Sequence, residues 1–334
     1  MKEAMYYEKR EKNTVKCHLC PWNCVISDGK RGVCKVRENQ KGKLYSLVYA
    51  KPCSIAIDPI EKKPLFHFLP GHASYSIGTV GCNLHCKFCQ NWTTSQAEPG
   101  SFAVHDLPPE KAVEEALANG CKSIAYTYNE PIIFYEYVLE TAKLARKEGL
   151  KNVIVSNGFI NEEPLKRLCK YIDAANIDLK AFDDKFYRKI TSAWLEPVLN
   201  SLKALKKNNV WLEITNLVIP RLNDGPKKIK EMCEWIKNNL GRDTPLHFSR
   251  FFPQYKLKDT EPTHPEILLK ARKIAQDAGL DHTYIGNMLT EDGENTFCHN
   301  CKELLVERHG FDVLQNKIKN NKCPKGHKIA GIWQ

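Results

Sequence analysis

From about residue 74 the chain alternates between two textures: short apolar runs rich in β-branched residues, and longer runs in which apolar side chains recur every three or four positions. The first pattern fits buried strands and the second fits amphipathic helices with one face on a core. Strands are predicted at 75–80, 123–127, 152–156, 174–178, 211–217, 245–250 and 282–286, and helices at 109–119, 131–148, 161–171, 197–208, 226–240 and 264–278. The first helix opens at Pro108 and Pro109 with Glu110 in its first turn, and Gly149 and Gly279 follow the ends of two others, as start and stop signals do. Repeated alternation of strand and helix predicts an α/β fold with a parallel sheet and crossover helices, whose chemistry gathers at the carboxyl ends of the strands.

Two flanking segments break the pattern. Residues 1–60 are rich in cysteine and turn residues, among them Pro21, Gly29, Gly32 and Pro52, with one strand-like run at 44–50. They read as a small metal-stabilised cap. Residues 60–71, IEKKPLFHFLPG, read as a connector, and 291–334 as a short Cys/His tail. The expected division is therefore a cap at 1–60, an α/β unit at 61–290 and a tail at 291–334. Apolar residues make up 42% of the 334 positions, enough for a globular core. No run of 18 apolar residues exists, so no membrane span is expected. The polar start MKEAMYYEKREKN has no secretory signal, which makes the cytoplasm the expected compartment. The net charge of +11 is spread along the chain as lysines, without an arginine-rich tract interleaved with aromatics, so nucleic acid is not an expected partner.

Cysteine usage changes the picture most. Of 14 cysteines, five lie in 17–53, three in 82–89 and three in 298–323. In a reducing compartment such clusters read as metal ligands before disulfides. Cys121, Cys169 and Cys233 stand alone in apolar segments and read as small buried hydrophobes. Cys82, Cys86 and Cys89 follow the first strand of the alternating pattern in the loop GCNLHCKFCQN. Three thiolates bind three irons of a [4Fe-4S] cluster and leave the fourth open, as a reactive site requires.

This Cys-x3-Cys-x2-Cys spacing, with Phe88 before the last cysteine, resembles the signature of the radical S-adenosylmethionine (SAM) superfamily. Together with the N-terminal Cys-x2-Cys-Pro-x2-Cys pattern, IEKKPLFHFLPG, GCNLHCKFCQNW, AYTYNEP and HFSRFFP, it resembles the AmmeMemoRadiSam system radical SAM enzymes, which are related to glycyl-radical-enzyme activating enzymes. The resemblance implies a partial (β/α)6 TIM-like barrel. It also implies that SAM on the open iron is cleaved reductively to a 5′-deoxyadenosyl radical, which takes hydrogen from an unidentified small-molecule or protein substrate. An electron donor and Memo-like and AMMECR-type partner proteins are further expectations of the same kind.

On that footing the second strand's Asn129-Glu130-Pro131 stands where the superfamily places Gly-Gly-Glu-Pro, so the Asn129 side chain and Glu130 are candidates for the SAM amine. Ser156 and Asn157 close the third strand, as SAM contacts or as a plain turn. Asp178 and Lys180 alternate onto the interior face of the fourth strand, as candidates for the ribose and the SAM carboxylate. Glu213, Thr215 and Asn216 on the fifth strand, and His247, Ser249 and Arg250 on the sixth, are pocket candidates because buried polar groups need partners.

Cys17, Cys20, Cys24 and Cys34, with Cys53 in reserve, suit either zinc or an auxiliary [4Fe-4S] cluster; zinc is preferred because the segment offers no evident path for electrons. Cys298, Cys301 and Cys323 resemble a zinc-ribbon-like end in which Gly326 replaces the fourth cysteine and His327 is the substitute ligand. Two alternatives to the radical enzyme acting on an unidentified substrate are a glycyl-radical activase and a non-catalytic, multi-metal nucleic-acid-binding protein.

Overall fold

The computed structural model describes residues 1–333. Its largest element is a sheet of eight strands: β1 (Ser54–Pro59), β2 (Ala73–Gly78), β3 (Ser123–Tyr126), β4 (Lys151–Ser156), β5 (Ala174–Asp178), β6 (Trp211–Val218), β7 (Leu246–Arg250) and β8 (Thr283–Gly286), hydrogen-bonded in that order. β1 runs antiparallel to β2, and every later pair is parallel. Helices α1 (Pro109–Ala118), α2 (Tyr135–Lys147), α3 (Glu162–Cys169), α4 (Leu195–Lys207), α5 (Pro226–Leu240) and α6 (Pro265–Asp277) make the crossovers. Proline occupies the first turn of α1, α5 and α6, where its missing N–H costs nothing. Central strands are buried along most of their length, all four residues of β3 among them, as a parallel sheet covered on both faces requires. Cys121, Cys169 and Cys233 are buried in the core around the sheet, as expected of small hydrophobes.

The sequence pattern missed β1. Its apolar run is only Ile55-Ala56-Ile57, its residues are mostly half-exposed, and only Asp58 is buried. The expected boundary at residue 60 therefore separates β1 from its partner; the main sheet begins at Ser54.

The N-terminal segment forms two small three-stranded antiparallel sheets. It is pinned to α2 by Arg37 and Glu136, whose side chains pair at 2.8 Å and are 2% and 1% exposed. The C-terminal segment carries a three-stranded antiparallel sheet over its own small apolar cluster. Among the described residues no helix is long and apolar enough to cross a membrane.

Glu213 lies near the amino end of β6 and is fully buried. Its carboxylate accepts from the Phe66 N–H at 3.0 Å, the His67 N–H at 2.8 Å and the Trp211 indole at 3.0 Å, and meets His247 Nε2 at 2.7 Å. The Phe66 ring packs 4.8 Å from both His247 and Tyr284. Arg308 reaches in from the C-terminal segment, donating to the Phe66 carbonyl at 2.7 Å. Segment 60–71 is thus a plug under the amino ends of the strands, held by Glu213 and sealed by the tail, and not a plain connector. Glu213 and His247 belong to this plug and not to a pocket at the opposite ends of their strands, which corrects the sequence expectation. Strand alternation places a residue on a face but does not give its depth along the strand.

Removing the acceptor while leaving its buried donors is costly. Glu213→Ala is expected to lose about 3 kcal/mol or more in a urea unfolding series. A change within about 0.5 kcal/mol would mean that the plug does not depend on this carboxylate.

Candidate functional site

The carboxyl ends of the seven parallel strands surround one cavity of about 230 Å³. Its lining includes Cys82, Cys86, Phe88 and Cys89 after β2, Tyr128, Asn129 and Glu130 after β3, Asn157 after β4, Asp178 and Lys180 from β5, Thr215 and Leu217 from β6, Ser249 from β7 and Asn287 after β8. The three cysteines of the loop thus face most of the polar residues that the sequence singled out.

The loop is held from several sides. Gly81 has φ +93°, and a Cβ there would lie 2.6 Å from Val36 Cγ1 and 2.9 Å from the Cys34 carbonyl oxygen, so no other residue fits. Asn83 donates to the Phe159 carbonyl at 2.8 Å and accepts from Asn157 at 2.9 Å. The His85 and Lys87 N–H groups donate to the Thr191 and Ile190 carbonyls, both at 2.9 Å, within the π-helical turn Tyr187–Thr191. The His85 ring is engaged with Gln96 at 2.6 Å, away from the ligand set.

The Cys82 and Cys86 thiols sit where ionisation is unfavourable without a metal. Burial, then Glu130 and the neighbouring cysteines, push the Cys82 thiol well up. Burial pushes Cys86 up to about 12, against the opposing pull of Lys180. Metal coordination is what would hold Cys82 and Cys86 as thiolates. The spacing of the loop cysteines also speaks to what kind of metal: no trio among them has all sulfurs within 4.8 Å, as one shared ion would need, whereas thiolates on separate irons of a cluster stand wider apart.

Lys180 Nζ donates to Asp178 at 2.9 Å and stands 5.6 Å from the centre of the Phe88 ring. Burial alone would lower its pKa; Asp178 and Cys86 outweigh that and hold the ammonium charged. A fixed cation and a partly exposed carboxylate at the cavity wall can bind an anionic and a hydroxyl group side by side.

Asn129 and Glu130 are more committed to the protein than the sequence suggested. Asn129 Nδ2 donates to the Thr79 carbonyl at 2.6 Å, and its Oδ1 accepts from Thr94 at 3.2 Å. Glu130 accepts from the Ile132 N–H at 3.0 Å, the Ser156 hydroxyl at 2.7 Å and the Asn157 N–H at 2.8 Å. It braces the ends of β3 and β4 and caps the turn at 131–134. Burial raises its pKa to about 7 against these donors. Ser156 lies behind this brace and does not line the cavity, so its reading as a direct cofactor contact is replaced by a structural one.

Sequence reading missed Tyr128, Gln90, Asn91 and Ser95 in the lining. Tyr128 has φ +68°, the left-handed backbone that glycine favours. The chain therefore keeps a glycine-like turn where the superfamily's Gly-Gly is replaced. Its hydroxyl donates to Asp58 at 2.6 Å, and Lys63 pairs with the same carboxylate at 2.6 Å. Burial would raise the Asp58 pKa, but Lys63, Tyr128 and Lys62 hold it below the usual range. The tyrosine after a strand and the acid and lysine of DPIEKKP were visible, but nothing in the sequence linked them.

The remaining cysteine sets differ sharply. The sulfurs of Cys298, Cys301 and Cys323 and a His327 nitrogen all lie within 4.8 Å of one another, and these are the sole set of that kind among the described residues. Tetrahedral zinc with bonds of about 2.3 Å puts its sulfurs roughly 3.8 Å apart, so this set fits one ion, with His327 as fourth ligand. Cys17, Cys20, Cys24 and Cys34 line a common cavity but contain no such trio, so the preference for zinc there is not supported by their spacing. Cys53 lies apart, with its sulfur against the Gly78 carbonyl, and is no reserve ligand.

The comparisons agree with this geometry. Residues 76–236 match the model of the radical SAM superfamily. An uncharacterized protein of Methanocaldococcus jannaschii is 47% identical over 99% of this chain and 98% of its own length. The pyruvate formate-lyase-activating enzyme of Clostridium pasteurianum is 23% identical over 59% of this chain and 87% of its own. Among solved structures, a radical SAM methyltransferase from Sphaerobacter thermophilus shares the fold, with a TM-score of 0.52 and 14% identity over 65% of this chain and 67% of that one. The protein carries a radical SAM superfamily domain over residues 76–236 and is an enzyme, related in sequence to pyruvate formate-lyase-activating enzymes. The non-catalytic alternative falls with that assignment.

Two measurements follow from the site. In metal-free protein, Glu130 should make stability fall with pH. Between its ordinary value of 4.5 and about 7, the unfolded chain has released the proton that the folded one retains. The loss should be on the order of 3 kcal/mol, level off above pH 7 and disappear in Glu130→Gln, as read by urea unfolding across pH 4–8. Separately, metal analysis of the purified chain should find about one zinc that Cys301→Ser or His327→Ala removes. A parent protein free of zinc after zinc reconstitution would refute the tail site.

Proposed function

We propose that Cys82, Cys86 and Cys89 hold a [4Fe-4S] cluster with one open iron, that SAM occupies the adjoining cavity, and that the enzyme uses it to abstract hydrogen from a further substrate. The observation that carries this reading is the convergence of the three cysteines, Asp178 and Lys180 on one cavity at the carboxyl ends of the strands. When bound, cluster and SAM supply one-electron cleavage of a carbon–sulfur bond, giving methionine and a 5′-deoxyadenosyl radical.

The chain's own residues supply position. Lys180, kept charged by Asp178, faces the SAM carboxylate, and Asp178 takes a ribose hydroxyl. Phe88 packs beneath as an apolar wall and keeps water from the cysteine loop. Asn157, bonded to Asn83 and 3.7 Å from Cys82 Sγ, fixes that thiolate's direction. Glu130 acts through Ser156 and Asn157 and not as the principal amine receptor; with both Asn129 polar atoms engaged, the amine falls to backbone acceptors of the Tyr128 turn. We read the curled sheet as the partial barrel that the sequence implies, with the 1–60 segment as its cap.

A glycyl-radical protein is a second reading of the substrate, favoured by the kinship with pyruvate formate-lyase-activating enzymes. Memo-like and AMMECR-type proteins are the partners to test first, on the family resemblance alone.

With dithionite and SAM, the anaerobic protein should form 5′-deoxyadenosine, and Cys86→Ala should reduce this to background. Lys180→Met should raise the KM for SAM about tenfold, the effect of one lost charged contact of about 1.4 kcal/mol. Equal product from parent and Cys86→Ala would refute the triad. An electron-spin signal from glycine in a candidate partner would decide for the activase.

A further inference from the structure

Four of the cysteines outside the site just described gather in one place. Cys17, Cys20, Cys24 and Cys34 line a single enclosed cavity with Arg37 and Asn83. Cys17 and Cys34 are 6% and 8% exposed. Four sulfurs gathered around one buried cavity are a ligand set for a metal or a cluster.

Two observations say which metal. The first is spacing: no three of these sulfurs lie within 4.8 Å of one another, although the same chain brings the tail set within that limit. One zinc needs the tight arrangement; a cubane, whose thiolates each take a different iron, needs the open one. The second is Arg37. Its side chain is 2% exposed and its two terminal nitrogens serve Glu136 and the Met5 carbonyl, but the buried Nε has no partner. A buried N–H without an acceptor is costly, and a cluster sulfur is an acceptor of the right charge.

The set also abuts the catalytic loop. The Cys34 carbonyl is 2.9 Å from the Cβ position of Gly81, whose next residue is Cys82. Trp22, between Cys20 and Cys24, donates through its indole to the Asn83 carbonyl at 2.7 Å on the other side of Cys82. The path for electrons that was not evident in the sequence is therefore a short one through bonded and touching groups.

We propose that Cys17, Cys20, Cys24 and Cys34 hold a second [4Fe-4S] cluster, faced by Arg37 Nε, which relays electrons to the catalytic cluster through the Gly81–Cys82 backbone. One electron from a low-potential carrier of the ferredoxin or flavodoxin class reduces this cluster from its 2+ to its 1+ core state. It returns to 2+ as the same electron reduces the cluster on Cys82, Cys86 and Cys89. The relay rests on the function proposed above; the presence of the second cluster does not.

The test uses the full chain with Cys82, Cys86 and Cys89 all changed to alanine, reconstituted anaerobically with iron and sulfide. It should keep about four irons and four sulfides and a brown colour that dithionite bleaches, and SAM should leave its reduced electron-spin spectrum unchanged. Adding Cys20→Ser and Cys34→Ser should remove the iron. Zinc in place of iron, or no metal at all in a folded variant, overturns the proposal. If the alanine variant does not fold, the parent decides: about eight irons with two reduced signals, one altered by SAM, supports a second cluster, and about four with one signal refutes it. For the relay, Cys20→Ser/Cys34→Ser in the otherwise unchanged chain should lower the ratio of flavodoxin-driven to dithionite-driven SAM cleavage at least tenfold. An unchanged ratio refutes the relay and leaves the catalytic assignment standing.

Discussion

A carboxylate shut away from water has to be met by donors, and Glu213 is met by four groups: two adjacent backbone N–H groups, an indole on its own strand and the ring of His247. Glu213 thereby ties the segment before β2 to β6 and β7. Arg308 and Tyr284 then tie the same segment to the C-terminal part of the chain. With the amino ends of the strands plugged in this way, the cavity that gathers the three cysteines, Asp178 and Lys180 opens at the carboxyl ends. The division between a stabilising end and a reactive end therefore rests on where one buried carboxyl group finds its partners.

The reactive end follows a related logic on a smaller scale. Asn83, Glu130, Asn157 and Asn129 spend most of their hydrogen-bonding capacity on one another and on the backbone. What they fix is the direction of the cysteine loop and the turn at Tyr128. Lys180 and Asp178 are different: they pair with each other at the cavity wall and keep capacity for a ligand. A site built this way holds its thiols in place before any metal arrives, so little reorganisation is left for binding.

Much of this was legible in the sequence, because two of its signals are local. Three cysteines in eight residues after a strand define a loop and its chemistry together, and the apolar periodicity from residue 74 gives the seven parallel strands. Depth along a strand is not local. Glu213 and Thr215 share a face, yet one serves the plug and the other the cavity. Side-chain commitment is not local either: Asn129-Glu130 looked like a ligand pair because their partners Thr79, Thr94, Ser156 and Asn157 are supplied by other elements. β1 escaped notice because an antiparallel edge strand with exposed residues carries no periodic signature. The cysteine sets of cap and tail looked equivalent in spacing along the chain and differ only in space.

The π-helical turn at Tyr187–Thr191 limits what insertions and deletions this chain can accept. A π turn holds one residue more than an α turn would, and here Ile190 and Thr191 turn their carbonyls to the backbone of the cysteine loop. Shortening the segment by a single residue would restore an ordinary helical pitch and leave His85 and Lys87 without acceptors. Lengthening it would move the acceptors out of register. Loop length is usually free to drift in surface connections, but along this stretch it is fixed by a contact three strands away. Length variation among relatives should therefore collect in exposed connections such as 98–104 and leave this one constant.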